Sequence, residues 1–414
     1  MAPFMSIFHK YLTYNNPLLS SDDDETAGPL EKTKANICEI IEIYTKKYED
    51  VFPMLPDFVS TTWALLTTTG QETKYDILVS KAMALLTSVV RVQRHSHLFS
   101  SEDVLRQIIE KIVLPNMTMR PSDEELFEDD PLDYIRRDLE GSDSDTRRRS
   151  SSDFVRGLME YFEKSVTRIV DEYIIHYLAE YAKSPSANWR SKDTALFLFS
   201  AIAIKSSTAM GGVTSTNILV DVCQFWTKNL QAEFVAKASH PVLQADYIRY
   251  IYVFRNQLTT EQLKAILPVL ATYLTSSEFV VYTYAAVTLD KILLQKRAEG
   301  PVYTKVDLTP LLEPLLGSLF ALIEKDPQPE KLAENDFLMK CVLRIFSVTR
   351  EALAPFMQVA TQHLVGILGE ISKNPSNPRF NHYLFESLAA LIRYSRSYSL
   401  VLMEGLSVLR LLRL

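Results

Sequence analysis

Glycine is scarce in this chain, with 11 in 414 residues, too few for the many tight turns of a β-rich fold. Cysteine is scarcer. Cys38, Cys223 and Cys341 lie far apart among apolar neighbours, which argues against a disulfide framework or a zinc knuckle and suits a reducing compartment. No apolar run approaches the roughly 18 uncharged residues of a membrane span. The opening MAPFMSIFHKYLTYNN lacks a basic region followed by an apolar core, so neither a spanning helix nor a secretory leader is expected. Basic residues are outnumbered, 44 Lys and Arg against 51 Asp and Glu for a formal charge of -7, and phosphate contacts need clustered cations. No nucleic acid is expected, and a basic protein surface is the better partner. Glycine-rich phosphate cradles, GxSxG elbows and HExxH pairs are missing, which argues against an enzyme. His95 and His97 form an HSH pair without a third ligand, so no metal and no cofactor are expected.

What is present is amphipathic helix. A chain of this length exceeds one ordinary hydrophobic core, and 47% hydrophobic residues rich in Leu, Ala and Ile suit an elongated helical array. Helical periodicity comes in pairs of segments. The second member of each pair carries a small residue at its centre: Ala82, Ser152, Ala195, Ala245, Ala285, Cys341 and Ser387. Their spacing is roughly 40 to 56 residues, close to the period of HEAT or armadillo hairpins, apart from one interval of about 70. The first members read PDFVSTTWALLTTT, SVTRIVDEYIIHYLAEYA, EQLKAILPVLATYL, LLEPLLGSLFALIEK and PFMQVATQHLVGILGEI. The predicted fold is all-α, a right-handed α-solenoid of HEAT repeats in which each hairpin buries its apolar face on the next.

Pro56, Pro241, Pro310 and Pro355 sit where helices begin, and Pro185 and Pro375 follow helices as stops. Pro268 and Pro314 fall inside apolar runs and predict kinks. Trp63, Trp189, Trp226, Tyr247, Tyr250 and Tyr252 are read as core, with an interface role as the alternative. Neither end offers the polar cap a solenoid needs. The helix PFMSIFHKYL and the tail LVLMEGLSVLRLLRL are expected to continue into further repeats, or the tail to form its own amphipathic cap.

The long interval holds residues 121–153, PSDEELFEDDPLDYIRRDLEGSDSDTRRRSSSD, where five arginines against twelve carboxylates leave -7, the charge of the whole chain. This stretch is expected to be a solvated excursion that reaches a partner. In RRRSSSD, Ser151 or Ser152 is expected to cap the following helix with Asp153 in its first turn. A basophilic kinase site is the competing reading.

The run FEDDPLDYIRRDLEGSDSDTRRRSSSDFVRGL, residues 127–158, resembles a signature of the CAS-type exportins of the importin-β superfamily. Similar runs follow in order: DDDETAG at 22–28, TTGQETKYDILVS at 68–80, VLPNM at 113–117, EYAKSPSANWRSKD at 180–193, FRNQL at 254–258, YTYAA at 282–286 and SKNPSNPRFNHYLFES at 372–387. The resemblance implies a receptor that wraps Ran-GTP together with importin-α and recycles the importin-α from nucleus to cytoplasm, shuttling between the two. The GTP belongs to Ran. It implies that the charged stretch is an insertion between the helices of one repeat, acting as a latch. Matched positions mark Tyr134, Ile135, Arg136, Arg137, Asp138, Asp143, Asp145, Arg147, Arg148 and Arg149 as its contacts. It further implies a central fragment lacking the N-terminal and C-terminal repeats, with a tail after Arg393 that departs from the family pattern. The domains expected are HEAT repeats at 1–120, the insertion at 121–153, HEAT repeats at 154–393 and a divergent tail at 394–414. A free-standing HEAT scaffold with an unrelated partner is the alternative.

Overall fold

The computed structural model describes residues 2–19, 23–48, 52–139, 146–208 and 211–394. Two compact units are present: Met1–Ser207 with Thr214–Asp221, and Thr208–Val213 with Val222–Leu414. Asp143, Asp145 and the tail after Tyr394 lie outside the described residues.

In the first unit the helices are α1 (Ala2–Thr13), α2 (Pro29–Lys47), α3 (Leu55–Thr68), α4 (Asp76–Val90), α5 (Glu102–Ile108), α6 (Leu114–Met117), α7 (Pro121–Asp129), α8 (Pro131–Leu139), α9 (Arg147–Lys183) and α10 (Trp189–Ala203). A π-helical turn, Ile109–Val113, fuses α5 to α6. It widens the hydrogen-bond ladder just before Pro115, which has no amide to contribute. The second helices of the hairpins pack in sequence, α2 on α4, α4 on α9 and α9 on α10. The expected small residues mark this row. Ala82 and Ala195 are fully buried. In α9 the register falls on Ser151, fully buried with Oγ 3.5 Å from Met83 Sδ, and not on the half-buried Ser152. Gly157 continues that contact: a Cβ there would stand 3.1 Å from Val90 Cγ1 and 3.2 Å from Thr87 Cγ2, so the helices approach at a glycine.

The segments SSSDFVRGLMEYF and SVTRIVDEYIIHYLAEYA, expected as two helices at 150–162 and 165–182, are joined without a loop. Helix α9 runs through both, broken at Phe162 alone, whose φ of -122° and ψ of 31° are non-helical. Its first part closes the insertion-bearing hairpin and its second opens the next.

The second unit contains α11 (Val222–Asn229), α12 (Gln231–Ala236), α13 (Pro241–Phe254), α14 (Thr260–Thr272), α15 (Phe279–Ile292), α16 (Lys305–Leu308), α17 (Leu312–Ile323), α18 (Pro329–Leu332), α19 (Asp336–Thr349), α20 (Met357–Ile371) and α21 (Pro378–Tyr394). Its row runs α13, α15, α19, α21, with Ala245, Ala285, Cys341 and Ser387 buried along it. Pro268 lies inside α14 as expected. Pro314 does not break a helix. A 3₁₀ turn, Thr309–Leu311, precedes α17, which puts Pro314 in its first turn, where no intrahelical amide bond is lost. Trp189, Trp226, Tyr247 and Tyr250 are core, whereas Trp63 and Tyr252 are half-buried.

One helical run among the described residues, Lys305–Ile323, is apolar enough by length and composition to cross a membrane. It carries Lys305, Asp307 and Glu313, and Leu312, Leu315, Leu316 and Leu319 are buried beside α19.

Two small sheets were not expected. β1 (Ile204–Thr208) pairs with β2 (Gly212–Thr216), and β3 (Lys296–Arg297) with β4 (Gly300–Pro301). Clusters of Ser and Thr in IKSST and GVTST, with Gly211 and Gly212 between them, are the turn and strand signal that the helical register concealed. Gly212 has φ +74°, and a Cβ there would lie 2.4 Å from Arg255 Nη1, so only glycine fits.

Candidate protein-interaction site

The described parts of the charged stretch, 121–139 and 146–153, are helical but for Asp130 and Thr146, which corrects the expected solvated excursion there. Pro121 and Pro131 begin α7 and α8 at positions whose amides would be unused. Asp123 closes the first turn of α7 by accepting from the Arg120 amide at 2.9 Å. Phe127 and Ile135 bury the inner faces, and the Phe127 ring meets Tyr134 edge-on at 5.2 Å. Apolar content spaced for these contacts outweighs the charge around it.

Both flanks of the insertion converge on one carboxylate. Asp76, the first residue of α4, accepts at Oδ1 from Arg120 Nη1 (2.7 Å) and Arg147 Nε (2.6 Å), and at Oδ2 from Arg120 Nη2 (2.9 Å). The remaining donors of Arg147 reach Asn116 Oδ1 at 3.1 Å and the carbonyls of Gly70 and Glu72, each at 3.1 Å. Arg120 adds the Gln71 carbonyl at 3.0 Å. The planar five-donor guanidinium suits this work, binding a carboxylate and a turn of carbonyls together.

A second set of contacts ties the insertion forward to α10. Arg148 makes a two-pronged bond to Asp193, which is fully buried, and its guanidinium lies 4.2 Å from the centre of the Phe197 ring. Glu124 of α7 pairs with Arg190. The insertion and its flanks therefore reach both α4 and α10.

Burial would raise the Asp123 carboxyl, but hydrogen bonds and charge from Arg120 hold it below its usual value. Burial likewise opposes the charge on Arg148, and Asp193 more than reverses this. Arg147 is lowered by burial in spite of Asp76. The Asp123 carboxylate and the Arg148 guanidinium therefore stay charged at neutral pH.

The helix cap expected at Ser151 or Ser152 is Thr146, whose Oγ1 accepts from the Arg149 amide at 3.2 Å. Helix α9 starts earlier than expected because Asp76 and Asp193 neutralise Arg147 and Arg148, cations otherwise opposed by the helix dipole. Ser152 bonds back to the Arg148 carbonyl at 2.9 Å.

The positions marked by resemblance thus divide. Arg147 is buried and Arg148 mostly so, both turned inward. Ile135 is core; Tyr134, Arg136 and Asp138 are half-buried; Arg137 and Arg149 are exposed. Arg137 pairs with Asp133 at 2.6 Å. The outward acidic groups are Glu125, Glu128, Asp129 and Asp130 of α7 and its C-terminus, outside the expected set. Sequence reasoning also missed Asp76, Arg120 and Asp193. The signal for Arg120 was its place just before Pro121 with Asp123 three residues on, a capping pattern. Among the described residues no group of three His, Cys, Asp or Glu side chains could hold a metal ion.

Comparison with known proteins follows this geometry along the whole chain. The family model described as Cse1 matches residues 1–289, and that described as the C-terminus of the CAS/CSE protein matches residues 290–407, past the point at Arg393 where the resemblance was expected to end. The importin-alpha re-exporter of Schizosaccharomyces pombe is 50% identical over 395 residues, covering 95% of this chain and 41% of its own length. Exportin-2 of Homo sapiens is 42% identical over 397 residues, covering 95% and 40%. The solved structure of the exportin Cse1 in its cargo-free, cytoplasmic state superposes with a TM-score of 0.89 at 43% identity, covering 100% of this chain and 44% of that one. The chain spans about two fifths of the length of the curated relatives it matches.

Proposed function

The chain belongs to the Cse1 (CAS/CSE) family, and on that premise we propose that it is part of a nuclear export receptor that binds importin-α together with Ran-GTP. The observation that carries this reading is the 50% identity to an importin-alpha re-exporter across 95% of the chain, a span that contains the insertion. The receptor returns importin-α to the cytoplasm and shuttles between the two compartments. It binds and does not catalyse, and the nucleotide is carried by Ran.

The insertion supplies a mechanism. Glu125, Glu128, Asp129 and Asp130 meet a basic protein surface, while Arg147 and Arg148 act as positioning residues that fix α7 and α8 between α4 and α10. Tyr134, Ile135, Arg136, Arg137, Asp138, Asp143, Asp145 and Arg149 complete the set of latch residues. A partner that draws on the acidic face then biases how two neighbouring hairpins pack, because one insertion holds both.

A pull-down on the immobilised chain with importin-α and either GTP-loaded or GDP-loaded Ran tests the reading. Capture of importin-α that rises with Ran-GTP supports it. Capture independent of nucleotide points instead to a HEAT scaffold with an unrelated partner.

A further inference from the structure

Asp290, in the last turn of α15, is 2% exposed, and three cations face it from two helices. Arg344 of α19 donates through Nε to Oδ1 at 2.8 Å. The ammonium groups of Lys291 and Lys340 stand 3.8 and 3.9 Å from Oδ2, beyond hydrogen-bonding distance. A buried carboxylate needs one counter-charge, and Arg344 provides it. The two lysines are in excess. Among the described residues, Asp290 is the one carboxylate within ion-pair distance of all three cations.

A purely structural account covers part of this. Lys291 lies in the last turn of α15, where a cation complements the helix dipole. Lys340 lies in the middle of α19 and gains nothing of that kind; its ammonium leans on the ring of Tyr383, 5.5 Å from the centroid. Burial, together with Lys340, Arg255 and Arg344, holds the Lys291 ammonium below its ordinary value although Asp290 opposes this. Like charges are crowded here, and an added anion removes the repulsion. Lys291, Lys340 and Arg344 remain partly open to solvent, at 22%, 31% and 26% of their side chains, so an anion can reach them.

We propose that this cluster docks an acidic segment of a partner protein, one Asp or Glu carboxylate of which enters between Lys291 and Lys340. A carboxylate is favoured over a nucleic acid because the cations are compact and do not form the extended track that successive phosphates require. The chain as a whole is also acidic. This assignment is independent of the export reading.

The test uses the full chain and a fluorescein-labelled oligoglutamate peptide, followed by fluorescence anisotropy at low and high salt. Saturable binding that weakens with salt is expected, with a loss of about tenfold or more in a Lys291→Gln/Lys340→Gln variant and retention in Lys291→Arg/Lys340→Arg. The circular dichroism melt of the Gln variant should be unchanged or higher, since repulsion has been relieved; if that pair fails to fold, Lys340→Gln alone takes its place. No saturable binding by the wild type, equal binding by the Gln variant, or tighter binding of a single-stranded oligouridylate of equal charge overturns the proposal.

Discussion

Arg120 and Arg147 stand on opposite flanks of the insertion and donate to the same oxygen, Oδ1 of Asp76, at 2.7 and 2.6 Å. The segment between them is closed at its base by three side chains. Removing the carboxylate leaves two guanidinium groups facing each other, with Arg147 only 3% exposed.

Asp76→Ala should therefore cost roughly 3 kcal/mol, the scale of an uncompensated buried charge, and should speed proteolytic cleavage within residues 121–146. Urea unfolding with a parallel protease time course measures both. Neutralising the partner as well, in Asp76→Ala/Arg147→Met, should recover part of the loss. A single variant as stable as the wild type would sink the clamp.

The pH dependence has a definite sign. The Asp123 carboxyl is held below its ordinary 3.8 in the fold, so its contribution is fully present above that value. It is lost as pH falls through the lower, folded value. The stability difference between wild type and Asp123→Asn should be flat from neutral pH down to about 5 and shrink below 4. Denaturant titrations at several pH values follow it. A difference that grows on acidification contradicts the assignment.

Thiol reactivity should separate the three cysteines. Burial pushes the Cys38 thiol up to about 12 and raises Cys341 well above its usual value, so both stay protonated and shielded at mildly alkaline pH. Cys223 is only partly buried. Alkylation of the native chain, read by peptide mass spectrometry, should mark Cys223 first and the other two only after unfolding; rapid labelling of Cys38 contradicts this.

Gly212→Ala should lower stability by about 1 to 2 kcal/mol. The positive φ costs that much for a residue with a Cβ, and the added methyl meets the buried Arg255 guanidinium. The same substitution in an Arg255→Ala background is the comparison, since it keeps the backbone strain at Gly212 and removes the guanidinium that the methyl meets. A melt in which Gly212→Ala loses no more in the wild type than in that background removes the steric part of the explanation.

The hairpin register was legible because a small residue is needed wherever neighbouring helices approach, and Ala82, Ala195, Ala285 and Cys341 occupy such points, each fully buried. It slipped by one at Ser151 because three consecutive serines present the same size at three different angles around the helix. The insertion was legible as charge and illegible as structure. Its helices depend on Phe127 and Ile135, two apolar residues in a stretch too acidic for a periodicity to stand out. The inward role of Arg147 and Arg148 depends on Asp76 and Asp193, far away in sequence, and no local pattern names such partners. Thr146 was passed over as cap because three arginines at a helix start are unfavourable until those distant carboxylates are known.

The single non-helical residue at Phe162 has a mechanical consequence. Where hairpins are joined by loops, one can tilt against the next while the linker takes up the slack. Between the hairpin that closes on the insertion and the one that follows it, two helices meet at a kink of one residue, Phe162, with no loop between them. Any change of angle between residues 147–161 and 163–183 is therefore taken up at one backbone position, so this joint is an elbow of a single residue where loop-linked hairpins have several.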